Sequence, residues 1–126
     1  MDALLKKLNY KKGVIFVINA PPEFRHVRQG WEDEFPLRET LSGEPADFLL
    51  VFARDAAEVA SVVSPASGNL APGAVFWVAF PKQSSARYAS DINRDKLWPL
   101  MAELGFRPNR NVAVDEDWSA LRFAAE

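Results

Sequence analysis

Three runs of residues that are apolar at every position organise the chain: Val14–Ile18 (VIFVI), Phe48–Ala53 (FLLVFA) and Ala74–Phe80 (AVFWVAF). A strand that faces solvent on one side alternates. A run with no polar position suits a parallel strand covered by helices on both faces. Each run is punctuated sharply, by Pro21-Pro22, by Asp55 and by Pro81.

Between the runs the spacing turns helical. Leu4, Leu5 and Leu8 give a short amphipathic helix or turn over Asp2–Tyr10, closed by Lys11-Lys12-Gly13. Asp55 is placed to cap a helix over Ala56–Val63, and Pro65, Gly68, Pro72 and Gly73 break the chain after it. Leu97, Leu100, Met101 and Leu104 form an i, i+3, i+4, i+7 stripe. With Asp95 as its N-cap, Pro99 falls among the first helical residues, whose N–H groups need no intrahelical partner. Gly105 suits the helix end, and Pro108 prevents resumption.

Elsewhere the pattern is weaker. Glu23–Trp31 has room for a helical turn or two, and Phe35–Leu41 for a short strand at the sheet edge, since Pro36 cannot sit centrally. Gln83–Arg94 is a polar loop, and Val112–Val114 and Trp118–Ala124 are short strands joined by Asp115-Glu116-Asp117. Strand, helix, strand, helix, strand and closing hairpin spell an α/β fold: one domain over residues 1–126, three layers, a doubly wound and mostly parallel sheet, and an antiparallel C-terminal hairpin strand.

Composition narrows the chemistry. The 126 residues carry 15 Lys+Arg and 17 Asp+Glu, a formal charge of −2 without skew between the halves, so a nucleic-acid groove is not expected. There is no Cys, which excludes disulfides, thiolate metal sites and a Cys nucleophile. The single His26 stands alone in a weakly patterned segment and reads as a solvent-facing side chain. No apolar run reaches the roughly 20 residues of a membrane span, and residues 1–12 lack the apolar core of a signal peptide. A soluble cytoplasmic protein is the expectation.

Four stretches resemble class I methyltransferase-like domains in order and spacing: Leu8–Ile18 (LNYKKGVIFVI), Asp47–Phe52 (DFLLVF), Leu70–Lys82 (LAPGAVFWVAFPK), and Leu104–Phe106 with Asp117–Phe123 (LGF and DWSALRF). More narrowly, Asn19-Ala20-Pro21, the Trp77–Lys82 strand end and the Asp115–Ser119 block (DxxWS) resemble a family of small bacterial proteins known only as a domain of unknown function. The resemblance covers most of the chain outside Arg25–Glu44. It implies a Rossmann-like, methyltransferase-like topology in which the strands ending at Ile18, Ala53, Phe80 and Val114 share one carboxyl edge. The last strand would then run antiparallel between its neighbours, and ligands of such sheets bind at the shared edge.

The departures from that pattern carry chemical meaning. An adenosyl or dinucleotide site needs glycine after the first strand, so that backbone and ligand approach closely. This chain has Asn19-Ala20-Pro21-Pro22-Glu23, where two prolines remove two donors and fix φ. For the acidic residue that holds a ribose, Glu39 and Glu44 remain by elimination only, and no Walker spacing exists. No cofactor is expected. The loop after the third run offers the alternative site: Lys82, Ser84, Ser85 and Arg87 supply cations and hydroxyls for a phosphate or carboxylate, with Arg94 near and the Asp115–Trp118 turn on the same edge, Trp118 as an apolar wall.

A plainer account has Lys82 paired with Asp115 or Asp117 and the serines satisfying turn backbone. Asp115 with Asp117 provides too few ligands for a metal, so none is expected. Trp77 belongs in the core, Trp98 half-buried on a helix flank, and Trp31, among Glu32, Asp33 and Glu34, is the aromatic most open to solvent. Two functions follow. One is a non-catalytic methyltransferase-like module that meets a protein partner, a second copy of the chain included. The other is a binder of, or enzyme acting on, a small anion near Lys82 and Arg87.

Overall fold

A computed structural model describes residues 1–126. The apolar runs become β1 (Ile15–Ile18), β3 (Ala46–Phe52) and β4 (Leu70–Pro81). With β2 (Leu37–Arg38), β5 (Phe106–Ala113) and β6 (Trp118–Ala125) they form one six-stranded sheet in the order β2-β1-β3-β4-β6-β5. β1, β2, β3 and β4 pair in parallel, and β6 is antiparallel to both β4 and β5. The three-layer α/β reading holds, including the edge position of the second strand and the reversed last strand.

Alternation along the strands makes two cores of 17 buried residues each. Ile15, Val17, Phe48, Leu50, Phe52 and Trp77 meet α1 (Ala3–Lys7) and α2 (Arg25–Glu34) on one face. Phe16, Leu49, Val51, Phe76 and Val78 meet α3 (Ala56–Glu58), α4 (Ser64–Ser67) and α5 (Arg94–Glu103) on the other. Such burial is the dominant favourable term in folding.

Several expectations need correction. The weakly patterned Glu23–Glu44 segment holds a 3-10 turn (Pro22–Phe24) and then the ten-residue α2, longer than a turn or two. Trp31 on α2 is buried rather than open. It packs edge-on against Phe24 at 5.4 Å, and its indole N–H donates to Asp2 Oδ2 at 2.5 Å. Glu32, Asp33 and Glu34 are all exposed, because successive helical residues turn by about 100° and one position can be buried while its neighbours stay solvated. Trp98, expected to be half-buried, is 54% exposed.

Pro65 does not end the second helix. A widened π-type turn over Val59–Val63, in which Ser64 N–H donates to Val59 O, precedes α4 and accommodates the proline. The cap of α5 is Asn93, whose side chain accepts from Lys96 N–H, and not Asp95. Pro99 therefore lies past the first four helical residues and leaves the Asp95 carbonyl without its helical donor. β5 begins at Phe106, earlier than expected, and takes Pro108 into an edge strand with a register shift between Pro108 and Arg110.

Candidate functional site

The carboxyl edge of the parallel strands is where this architecture holds ligands. Here the chain's own side chains occupy the part of it beyond β1 and β3. After β1, Asn19 adopts φ 61°, a left-handed conformation that asparagine tolerates better than most residues. Its amide Nδ2 donates to Phe52 O at 2.8 Å and to Glu58 Oε1 at 3.2 Å, tying the turn to the end of β3. Pro21 is extended and Pro22 opens the 3-10 turn, so two consecutive positions offer no N–H.

That turn delivers Glu23 to the centre of the edge. Its Oε2 accepts hydrogen bonds from the Tyr88 hydroxyl and, at 3.2 Å, from Trp118 Nε1–H, while Oε1 lies 3.6 Å from Arg87 Nη1. Burial works against ionisation of Glu23. The donors Tyr88, its own backbone and Trp118, with the Arg87 charge, outweigh burial and hold the carboxyl below its ordinary value of 4.5. Tyr88 responds oppositely: burial, and then the hydrogen bond and charge of Glu23, push its hydroxyl up to about 12. Trp118 packs edge-on against Tyr88 at 5.0 Å and Phe52 at 5.1 Å.

The 83–93 loop lies across the same edge, fastened along its length. Ser85 Oγ donates to Asp117 Oδ1 at 2.7 Å and accepts from the N–H groups of Arg87 and Tyr88, each at 3.1 Å. Arg87 reaches Asp117 at 3.8 Å as well as Glu23. Ser90 Oγ donates to Arg54 O at 2.5 Å, and Asp91 accepts from Ala56 N–H at 2.8 Å. The space left between the turn and the loop, lined by Asn19, Ala20, Pro21, Pro22, Arg54, Tyr88 and Trp118, is about 120 Å³. Ligand pockets start at roughly 300 Å³.

Four of the expected anion-site residues thus meet, around carboxylates of the chain's own. Ser85 and Arg87 hold Asp117, Asp115 Oδ1 accepts from the N–H groups of Asp117 and Trp118 at 2.8 Å each and fixes the turn, and Trp118 serves Glu23. Lys82 shares an open hollow of about 400 Å³ with Ser85 and Tyr88, and Ser84 lies outside it. The Lys82 side chain forms no ion pair with Asp115 or Asp117; only its backbone N–H donates, to Asp117 O at 2.8 Å. On its other side Lys82, with Ser84, lines a second open hollow of about 350 Å³ with Gln83, Asn93, Arg94, Asn111 and Ser119.

Of the two acidic residues considered for a ribose, Glu39 directly follows β2 and pairs with Arg28 at 3.4 Å, and Glu44 pairs with Arg38 at 3.8 Å. His26 is exposed on α2, and no group of three His, Asp or Glu is arranged to hold a metal. Glu23 and Tyr88 were not singled out from the sequence. They lie 65 residues apart, and only the sheet order brings them together.

No family model and no curated protein matches the chain. Solved structures do. The ribosomal protein L11 methylase of Lactobacillus delbrueckii subsp. bulgaricus superposes with a TM-score of 0.61 at 8% identity, over 97% of this chain and 74% of its own. The glycopeptide N-methyltransferase MtfA gives 0.61 at 10% identity, over 98% and 88%. NcsB1, an O-methyltransferase from neocarzinostatin biosynthesis solved with S-adenosylmethionine and 2-hydroxy-5-methyl naphthoic acid, gives 0.56 at 16% identity, over 98% of this chain and 44% of its own. The fold is methyltransferase-like. The present chain carries that methyltransferase-like sheet and helix arrangement in a smaller frame, spanning less than half of NcsB1. No helix is long and apolar enough to cross a membrane.

Proposed function

We propose that this is a non-catalytic methyltransferase-like domain, of the kind suggested by the resemblance to the small bacterial family of the DxxWS block, and that it acts as an interaction or regulatory module in the cytoplasm. One observation carries the reading. Glu23, delivered by the Pro21-Pro22 turn, is hydrogen-bonded by Tyr88 and Trp118 and faces Arg87 in the crevice where an adenosyl ligand would lie. A ligand entering there must break a charge-assisted network and leave a part-buried carboxylate without donors, which costs more than the network's net stabilisation. The two hydroxyls that meet a carboxylate, Ser85 on Asp117 and Tyr88 on Glu23, are engaged within the network itself, Ser85 Oγ also accepting from two backbone N–H groups. The test is calorimetric titration with S-adenosylmethionine, S-adenosylhomocysteine and common nucleotides. Heats indistinguishable from dilution are expected, and a micromolar Kd for any of them overturns the proposal.

The second reading, a small-anion binder or enzyme at the carboxyl edge, is favoured by one feature. Lys82 and Arg94 line a hollow that contains no carboxylate, and neither forms an ion pair. Arg87 supports it less, being engaged by Glu23 and Asp117. Inorganic phosphate is the probe: amide shifts at Lys82–Ser85 that vanish in Lys82→Ala support this reading, and their absence in the wild type ends it.

A further inference from the structure

The β5–β6 hairpin has one face in the α3–α5 core, through Phe106, Leu121 and Phe123. The opposite face is buried only at its upper end, by Val112, Trp118 and Ala120. Below them the side-chain alternation brings three arginines onto that same face. Arg110 is paired directly across from Arg122, and Arg107 sits one step further down, across from Ala124. Arg107 and Arg110 are exposed and Arg122 is half-exposed, so no helix covers this part of the sheet. None of the three forms an ion pair, unlike Arg28, Arg38, Arg54 and Arg87.

Like charges directly opposite one another on a sheet are unfavourable, so this face is left in a state that an anionic partner would relieve. Arg122 is paired with Trp77, whose indole N–H donates to Leu8 O at 2.8 Å, and the residue before Leu8, Lys7, is exposed. The nearest acidic groups in sequence are Glu103 and Glu126, neither within ion-pair range of any cation, and Glu126 ties its backbone N–H to Gly105 O.

We infer that this arginine face of the β5–β6 hairpin docks an acidic segment of a partner protein. The inference rests on the non-catalytic reading and names the partner's chemistry. Charge complementarity sets the occupant. A nucleic acid is disfavoured because the whole chain is at −2 and the face presents no exposed aromatic for base stacking, Trp77 being fully buried. A short acidic segment, in contrast, senses only charges within a Debye length of about 8 Å.

The experiment is a titration of the isotopically labelled full chain with a decaglutamate peptide, followed by amide shifts at low and at physiological salt. Shifts are expected to cluster at Phe106–Ala113 and Ala120–Ala125, to weaken with salt, and to leave Asn19–Glu23 unmoved. Joint replacement Arg107→Glu and Arg110→Glu should lower the affinity about tenfold or more, because attraction becomes repulsion at two exposed positions. The same spectrum verifies that the variant is folded. Scattered or absent shifts, unchanged affinity in the double variant, equal affinity for an oligothymidylate, or a mass that grows with concentration would each overturn the inference. Shifts at Asn19–Glu23 and Tyr88 on adding S-adenosylmethionine would instead sink the non-catalytic reading, without touching the result at the hairpin.

Discussion

Arg87 and Arg110 are both exposed arginines near the last hairpin, and they stand in opposite electrostatic situations. Arg87 has two carboxylates in reach, Glu23 at 3.6 Å and Asp117 at 3.8 Å, each already held by uncharged donors. Arg110 has another arginine opposite and no carboxylate. Around Glu23 and Asp117 donors and acceptors are matched, whereas the hairpin face is left open. A site is told from a structural network less by which residue types it holds than by whether their partners are already present.

The contrast can be broken by emptying the closed region. Trp118→Ala removes a side chain that is 1% exposed and packs on Phe52 and Tyr88. A loss of about 3–5 kcal/mol in urea unfolding is expected. A loss below 1 kcal/mol would mean that the edge is not the packed region described.

Glu23→Ala should cost about 1–3 kcal/mol, since the Tyr88 hydroxyl and Trp118 indole lose their acceptor while Arg87 keeps Asp117. The same carboxylate sets the acid limb. Its folded value lies below 4.5, so its contribution is complete above 4.5 and is lost as pH falls through the lower folded value. Glu58, held down chiefly by its hydrogen bond from Arg54, behaves alike. Glu23→Gln should therefore flatten stability against pH below 4.5 without removing the dependence. An unchanged acid limb would show that Glu23 is not the group titrating.

Tyr88 sharpens the alkaline side. With its hydroxyl raised from 10.0 to about 12, its contribution is complete below 10 and fades as pH climbs toward 12. Tyr10 is also raised, by burial and then by Asp47. Phenolate absorbance of the folded protein should thus lag that of free tyrosine, and titration near 10 would contradict both environments. The smallest effect belongs to the open region. Arg110→Ala relieves the pair with Arg122 and should change stability by no more than about 0.5 kcal/mol, in the stabilising direction.

Much of the framework was legible because burial on both faces leaves an unambiguous mark. The runs at Val14, Phe48 and Ala74 are strands for the same reason they are apolar, and Asp55 and Gly105 punctuate where expected, Gly105 at φ 90°. Misreadings fell where a local rule met a tertiary exception. Pro65 passes through a helix because the turn ahead of it widens, and Trp31 is drawn inward from an acidic run by Asp2, 29 residues earlier. The site was half legible. Proline in the turn after β1 announced what could not bind, but the group that takes the ligand's place, Glu23, is defined by donors 65 and 95 residues away. No local spacing encodes such a meeting.

Asp2 serves two masters at once: Oδ1 accepts from Leu5 N–H at 2.8 Å, and Oδ2 takes the Trp31 indole. At the other end of the same helix its C-cap residue, Leu8, offers its carbonyl to Trp77. Residues 1–10 accordingly form a wall of the interior, through Leu5 and Leu8, and deleting them would strip the polar anchor from two indoles and uncover one side of the sheet.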